Sequence, residues 1–531
     1  MRHFLAFIII LTVLTTNAAT TTTPGDLNGD SKVDVADVNA IINVILELPT
    51  DPGIQAKADV NGDGKVDVSD VNLLINVILE ITTLPDHDPE KTGCDYVWDM
   101  DALPEIHILV SLSEWNRLLT LYDGNSHTKQ YITAKRFSFV QNGERTDVDS
   151  VGLRLKGNTS RRRPEGGDHG QMHNAGNTRW QHVHFGIHLR KYVKDDAHSV
   201  KGVRKFHLKW FKDDPAYVRE LFCYNLFRKA GIWTASRDNY CRLWLKVEGD
   251  PAEIYYGIYE MIEPVDENYL KQRKDTTMFS SAQGNLWKCK YVGQPATLSQ
   301  TYDGDYWWDD DTDANHTYSL ETNTKRFDNA KAQLIDFQLK LNGKSRESFY
   351  QWIQEVCDVD LLLKTYAVNV AVGMWDDYWN NANNYYLYFN TEDLYTYQVY
   401  FIPYDYDNTL GTSTQCGNLS DSGRQDPLQW GVNSNRLIQR LMEYDDFKAK
   451  YVAYLKEIVA DSSDLMYCTD AIERIQAWQA KIRDYVHNDV GEDMVIEDKP
   501  APWGNHGEYR LLELGSNNFF QVKAASINAL P

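Results

Sequence analysis

The sequence predicts an α+β protein of two unequal parts, and three observations carry that reading. Strand patterns dominate the middle of the chain and helical patterns its last third, which is the order expected of a sheet lobe followed by a helical lobe. An acidic, duplicated segment near the N-terminus has the spacing of a small all-α calcium-binding module. A length of 531 residues suits two to four domains at roughly 100–200 residues each.

Composition excludes several classes. Lys+Arg number 54 against 76 Asp+Glu, a formal charge of -22, so the chain lacks the cationic surplus that phosphate backbones or anionic membranes select; no nucleic-acid partner is expected. Hydrophobic residues at 42% and charged residues at 24% describe a globular chain. The first residues are read as an address: Arg2 and His3, an apolar run over 4–14 and the small Ala18 and Ala19 form a secretory signal peptide over 1–19. No later apolar run reaches about 18 residues, so no membrane anchor is expected and the mature protein is expected to be secreted. Seven cysteines, an odd number without CxxC spacing, support neither a disulfide scaffold nor a thiolate zinc site.

Residues 26–47 (DLNGDSKVDVADVNAIINVILE) repeat at 59–80 (DVNGDGKVDVSDVNLLINVILE), with 17 of 22 positions identical. Each copy places oxygen ligands at positions 1, 3, 5, 7, 9 and 12 of a loop, as a hard cation of six to eight ligands requires. These are Asp26, Asn28, Asp30, the Lys32 carbonyl, Asp34 and Asp37, then Asp59, Asn61, Asp63, the Lys65 carbonyl, Asp67 and Asp70. An apolar stripe with helical spacing follows each loop. The duplicated loop-helix pattern over 24–84 resembles a type I dockerin. That resemblance implies two calcium ions and docking onto a cohesin domain of a scaffold protein. The residues in the partner-facing places (Val35-Ala36, Val68-Ser69, Asn43/Glu47 and Asn76/Glu80) differ from the best-known clostridial pairs, so the identity of the cohesin stays open.

A linker is assigned over 85–99, within a polar stretch bearing two prolines, and the large domain over 100–531. Alternation at Ile106, Ile108 and Val110 predicts a strand, and Ser113-Glu114-Trp115 the capped start of a helix. Further strands are expected at 151–156, 184–189, 206–210, 241–247, 255–261 and 286–291. Asp213/Asp214-Pro215 is expected to open a helix through Arg219, Glu220, Leu226 and Phe227, and long helices are expected at 330–341, 361–372, 437–459 and 470–486.

Two clusters in the helical part carry chemistry: WDDY at 375–378 with NNYYLY at 383–388, then PYDYDNTLG at 403–411. A carboxylate, an amide soon after it, a strand and a second carboxylate suit phosphoryl transfer, where one Asp orients a hydroxyl and the amide and second Asp hold a metal. Polar loop caps with a calcium site are an equal reading of the same residues. RLKGNTS at 154–160, FHLKWFKDDPAYVRELFCYNLFRKAGI at 206–232, YGIYEMIEPVDENYL at 256–270 and GNLWKCKY at 284–291 precede these clusters. In that order the set closely resembles the spore-coat CotH kinase family, over about residues 100–460.

The resemblance implies an atypical, two-lobed protein-kinase-like fold that transfers phosphate from ATP, with Mg2+ or Mn2+, to secreted protein acceptors. It makes Asp376 the catalytic carboxylate, with Asp377 as the fallback, and Asn384 and Asp405 metal ligands, with Asp407 as the alternative. Lys156, Lys205, Lys209 and Glu220 become the nucleotide-binding candidates, since a lysine–glutamate pair grips phosphates in kinases. The segment 161–182 lacks a lysine that family members often carry, and Arg161, Arg162 and Arg163 are its possible substitutes. Two rival functions stand beside this one: a non-catalytic structural or adhesion component of a cellulosome-like complex, and a carbohydrate-active enzyme of polysaccharide breakdown, whose two carboxylates would face an open cleft.

Close carboxylates in both loops repel one another without a cation. A fragment spanning 20–84 is therefore expected to gain helical circular dichroism on adding calcium and to lose it with a chelator; full helicity in chelator would refute the ligand assignment.

Overall fold

A computed structural model describes the chain except for residues 1–24, 29–31, 47, 51, 56, 59, 61–65, 80–92, 177–178, 275–277, 300–304, 309–315, 413–420, 432–434 and 502–507, and the side chains at 52, 53, 69 and 76. The expected leader, part of the expected linker and the expected loop ligands Asp30, Asp59, Asn61, Asp63 and Lys65 lie outside the described residues. The chain divides into two compact units, Met1–Lys91 and Thr92–Pro531.

In the first unit, helices Val35–Ile45 and Val68–Ile78 follow the two acidic loops. Their stripes bury Val38, Ile41 and Leu74 with Leu27, Ala58 and Val60. Asp34 caps the first helix, accepting from Ala36 N at 2.8 Å, while the buried Asp37 returns a carboxylate oxygen to Asp34 N at 3.0 Å. This reciprocal capping satisfies backbone donors that the helix start leaves open. Asp70 repeats the contact on Asp67 N at 2.9 Å.

The second unit is mixed α and β. Strands β1 (Glu105–Val110), β2 (Ile132–Gln141), β3 (Glu144–Lys156), β4 (His184–His188), β5 (Lys205–Lys209), β6 (Asp238–Val247) and β7 (Ile254–Ile262) close into a barrel in the order β1-β2-β3-β4-β5-β7-β6. All neighbours are antiparallel except β1 and β6, which run parallel and seal the barrel. Inward residues such as Ile106, Phe137, Leu153, Phe185, Phe206 and Leu243 fill it. A second sheet has the order β12-β11-β8-β10-β9, built from β8 (Asn285–Cys289), β9 (Tyr306–Trp308), β10 (Tyr318–Leu320), β11 (Tyr385–Phe389) and β12 (Val399–Pro403). Helices Phe327–Gly343, Arg346–Val356, Val359–Ala371, Asp445–Ile458 and Cys468–Ile482 share the larger core with this sheet.

Four local expectations need correction. The helix expected to open at Asp213/Asp214-Pro215 begins at Arg219, and Asp214 stands before it, accepting from the Val218 and Arg219 amides. Ser111, not Ser113, caps helix Leu112–Gly124, accepting from Glu114 N at 3.2 Å, because position N3 must sit three residues after the cap. The helix expected over 437–459 is two, Arg436–Leu441 and Asp445–Ile458. Asp445 and Asp446 favour a new helix N-terminus over a helix interior, since the macrodipole is positive there. The last third also contributes β11 and β12, an antiparallel pair of which β11 joins β8 about a hundred residues upstream.

Glu263 follows β7 and locks the barrel rim. It is buried, accepts from Arg237 at 2.7 Å and from Arg273 at 2.7 Å, and Arg237 continues to Asp95 at 2.6 Å. Burial opposes the charge, but the two guanidiniums hold the carboxyl down at about 2. Glu263→Gln is expected to cost about 3 kcal/mol in chemical denaturation at pH 7, because two buried cations lose their partner. The depressed folded value means this stabilisation is present above the ordinary carboxylate range and fades as pH falls toward 2, so the wild type and variant should converge in acid.

Candidate functional site

Lys209 ends β5 with its stem in the protein and its ammonium against three carboxylates. Nζ touches Glu220, lies 2.8 Å from Asp405 Oδ1 and 3.4 Å from Asp407 Oδ2. Glu220, Asp405 and Asp407 offer oxygens within 4.8 Å of one another. The helix Arg219–Lys229 fixes this geometry from one side. Asp214 accepts from the Val218 and Arg219 amides at 2.9 and 2.8 Å and pairs with the Arg219 guanidinium, which anchors the first turn that carries Glu220. Glu220 and Tyr224 stand four residues apart on one helix face and hold the following turn by its backbone: Tyr406 N donates to Glu220 Oε1 at 3.2 Å and Asp405 N to Tyr224 Oη at 3.1 Å. Asp405 itself sits at φ 63°, a left-handed conformation that Asp tolerates and that turns its carboxylate back toward Lys209.

One ammonium cannot by itself neutralise three carboxylates, so the acids differ in how readily they ionise. Burial opposes ionisation of Asp405, yet Lys209, then Lys156 and Lys288, hold it well below the usual range. Asp407 is pushed up to about 7 by burial, with Asp405 and Glu220 repelling it; its greater distance from Lys209 explains why the neighbours part. Glu220 is raised chiefly by burial, and Lys209 is lifted well above its ordinary value by the acids against its own desolvation. Glu260 on β7 pairs in register with Lys209, is buried, and is driven far up by desolvation and its acidic neighbours.

Asp376 and Asp377 diverge. Asp377 is buried and caps the short helix Tyr378–Asn381, accepting from Asn380 N at 2.7 Å and from the Asn369 amide; Asn369 in turn accepts from Tyr406 Oη at 2.9 Å. It is a strut between the two motif turns. Asp376 is half-buried and held by three asparagines: Oδ1 accepts from Asn381 at 2.5 Å and Asn383 at 3.0 Å, Oδ2 from Asn384 at 3.0 Å. A carboxylate oxygen accepts two bonds, so Oδ2 retains capacity for a hydroxyl donor. Burial first, and the Asp405 charge against the three amides, bring Asp376 up to about 6. Asn384, at φ 54°, spends its Nδ2 on the carbonyl and carboxylate of Asp376, which leaves its amide oxygen as an acceptor.

The other sequence candidates fall elsewhere. Lys156, at the end of β3, donates to Tyr404 Oη at 3.1 Å, one residue before Asp405. Lys205 is not in the cluster: it pairs with Asp266 at 2.8 Å, one strand length from Lys209, because residues four apart share a strand face but lie about 13 Å apart. The arginines are occupied structurally: Arg161 by the Gly157 and Thr128 carbonyls, Arg162 by Glu492 and the Trp210 ring, Arg163 by Asp123. Residues that sequence reasoning did not single out include Tyr224, Glu260, Asn369, Asn381, Asn383, Tyr404 and Lys288. Only the asparagine-rich run NNANN hinted at its role.

A barrel-borne lysine facing a helix glutamate and a two-aspartate turn, with a separately amidated aspartate nearby, defines a site built around charge neutralisation. Residues 154–509 match the family model described as CotH kinase protein, and residues 24–79 match the Dockerin type I domain. The chain belongs to the CotH kinase protein family and carries an N-terminal type I dockerin. No curated protein matches the chain.

Lys209→Met is expected to destabilise the second unit by about 3–5 kcal/mol, because Glu220 and its neighbours become uncompensated buried charges. Those acids must then bind protons to fold, so the variant's Tm is expected to rise as pH is lowered from about 8 to 5, the pH at which raised folded values contribute stability. A pH-independent Tm deficit in calorimetry would contradict this account.

Proposed function

We propose that the protein is an exported, ATP-dependent protein kinase placed in a multiprotein assembly by its dockerin. The observation that carries the reading is the contact of Lys209 and Glu220 with the Asp405–Asp407 turn, a lysine–glutamate pair beside metal-ligand carboxylates. A two-lobed arrangement of the kinase type follows from the same proposal, with the barrel on one side and the helical core on the other.

The donor chemistry fits a hard divalent cation: three carboxylates against one ammonium leave surplus negative charge, and all the donors are oxygen. Asp405, Asp407 and the Asn384 amide oxygen would hold Mg2+ or Mn2+, which supplies charge neutralisation to the phosphates when bound. Asp376 orients the acceptor hydroxyl at Oδ2 and takes its proton; the three asparagine amides fix the carboxylate, and its value of about 6 leaves it ionised yet basic near neutral pH. Asn369 and Asp377 keep this turn in register with the metal turn.

In the dockerin, Asp26, Asp37 and Asp70 are buried carboxylates within an oxygen-only donor set, which fits calcium. Asp26, Asn28, Asp30, the Lys32 carbonyl, Asp34 and Asp37 of the first loop, with Asp59, Asn61, Asp63, the Lys65 carbonyl, Asp67 and Asp70 of the second, would hold the two ions and set the helices that meet a cohesin domain. Residues 1–19 serve export. Among the described residues no helix is long and apolar enough to cross a membrane.

Labelled ATP with Mg2+ or Mn2+ tests the reading on the full chain. Asp405→Ala is expected to lose nucleotide binding and turnover together. Asp376→Ala is expected to keep nucleotide binding and lose about 10²–10⁴-fold in kcat, since its role arises in the transition state. Wild-type kcat should climb with pH through about 6, as Asp376 ionises. Unchanged phosphotransfer in both variants rejects the assignment, and no nucleotide binding by the wild type with either metal favours the non-catalytic module.

A further inference from the structure

Asp376 stands in a turn whose two flanks rest on one stretch of chain, 421–431. Before it, Gly373 has φ 70°, and an added Cβ there would lie 3.1 Å from Ser422 Cβ and 3.1 Å from Phe519 Cζ. After it, Trp379 of the short helix Tyr378–Asn381 packs on Gly431, where an added Cβ would strike the indole ring and the Trp379 carbonyl. Asn435 extends this contact by donating to the Tyr378 and Trp379 carbonyls. The same short helix supplies Asn381, which donates to Asp376 Oδ1.

The stretch 421–431 is held in turn by the C-terminal residues. Tyr509 is buried, donates to Asp421 Oδ1 at 2.5 Å and accepts from Arg424 at 3.0 Å. Gly411 and Gly423 make room for that side chain: an added Cβ at Gly411 would lie 2.5 Å from Tyr509 Cβ, and one at Gly423 would strike its hydroxyl. From the helix Phe519–Asn528, Lys523 Nζ donates to the Ser422 carbonyl at 2.9 Å and lies 4.3 Å from the Trp430 ring centroid. Ser526 Oγ donates to the Gln425 carbonyl at 3.1 Å. This helix lies past residue 509, where the match to the family model ends.

Lys523 is the informative residue. It is fully buried, and burial pulls its ammonium down to about 7 against the attraction of Asp421. A methionine of similar length would fill the same space without that desolvation cost, so packing does not by itself explain a lysine here. What the ammonium adds is direction: it fixes the carbonyl of Ser422, the residue that touches Gly373. The metal turn has a different support, since Glu220 and Tyr224 take the amides of Tyr406 and Asp405.

We propose that residues 509–526 are the positioning element for the acceptor side of the site: Tyr509 and Lys523 hold 421–431, which sets the place of Asp376, while the metal turn keeps its own support. The role of Asp376 rests on the kinase reading; the coupling of the C-terminal segment to its turn does not.

Hydrogen–deuterium exchange on the full chain is combined with labelled phosphate transfer from Mn-ATP to a mixed serine, threonine and tyrosine peptide library. The variants are Lys523→Met, Tyr509→Phe, which keeps the ring beside the two glycines, and Ser526→Ala. Lys523→Met is expected to melt no lower than the wild type, yet to exchange faster at both 421–431 and 374–384 with 403–407 unchanged. Its kcat should fall by about tenfold or more, because small misplacement of a reacting group is costly, while Mn-ATP affinity stays within about twofold. Tyr509→Phe and Ser526→Ala should show the same pattern more weakly, and they carry the reading if Lys523→Met melts lower. Faster exchange confined to 421–431, kcat unchanged in the variants, or Mn-ATP affinity falling in step with kcat overturns the inference. A wild type that transfers no phosphate removes the kinase reading, and exchange then decides the coupling alone: faster exchange at 374–384 in the variants supports it, and unchanged exchange there overturns it.

Discussion

The placement of the Asp405–Asp407 turn depends on one buried ammonium. Lys209 reaches it from the barrel, Glu220 from the helix Arg219–Lys229, and the turn itself follows strand β12 of the other sheet, so three separately built elements converge on a single charge. In a low-dielectric setting such a contact is strong only when every participant stays paired, and costly when one is removed. That asymmetry makes the cluster a registration device as well as a site: the barrel and the second sheet must meet in one arrangement for the ammonium to be satisfied.

Backbone contacts spread this constraint. Glu220 and Tyr224 take the amides of Tyr406 and Asp405, so the helix positions the main chain of the turn as well as its side chains. From Tyr406 the network passes through Asn369 to Asp377, the cap of the Tyr378–Asn381 helix, and so to the adjacent Asp376. The two aspartates that a reading of WDDY treats as interchangeable therefore differ in kind. One faces inward and ties two turns together; the other keeps an acceptor position open.

Much of this was legible in the residues. The two 12-residue acidic loops needed no tertiary information, because ligand spacing within a loop is set by local geometry. Most strands and helices showed in period-2 and period-3.6 patterns. The elements not read from those patterns include β2, β9, β10, β12, the helices Arg346–Val356 and Phe519–Asn528, and the break at 442–444. Of the sequence candidates, Lys209 and Glu220 lie against Asp405 and Asp407, whereas Lys205 pairs with Asp266.

Sequence by itself determined the order of parts, a duplicated calcium-type loop module followed by an α+β domain, and the motif runs that carry the carboxylates and amides. These are local: spacing along the chain decides them. Only the tertiary structure decided which lysine meets Asp405 across 196 residues, that Asp377 is a strut and Asp376 an open acceptor, and that Lys156 and Lys288 share Tyr404. The reason is physical. Strand alternation puts Lys205 and Lys209 on the same face with equal claim, and which of them becomes the counter-ion is settled by the register of β5 against β7 and by where the next helix begins.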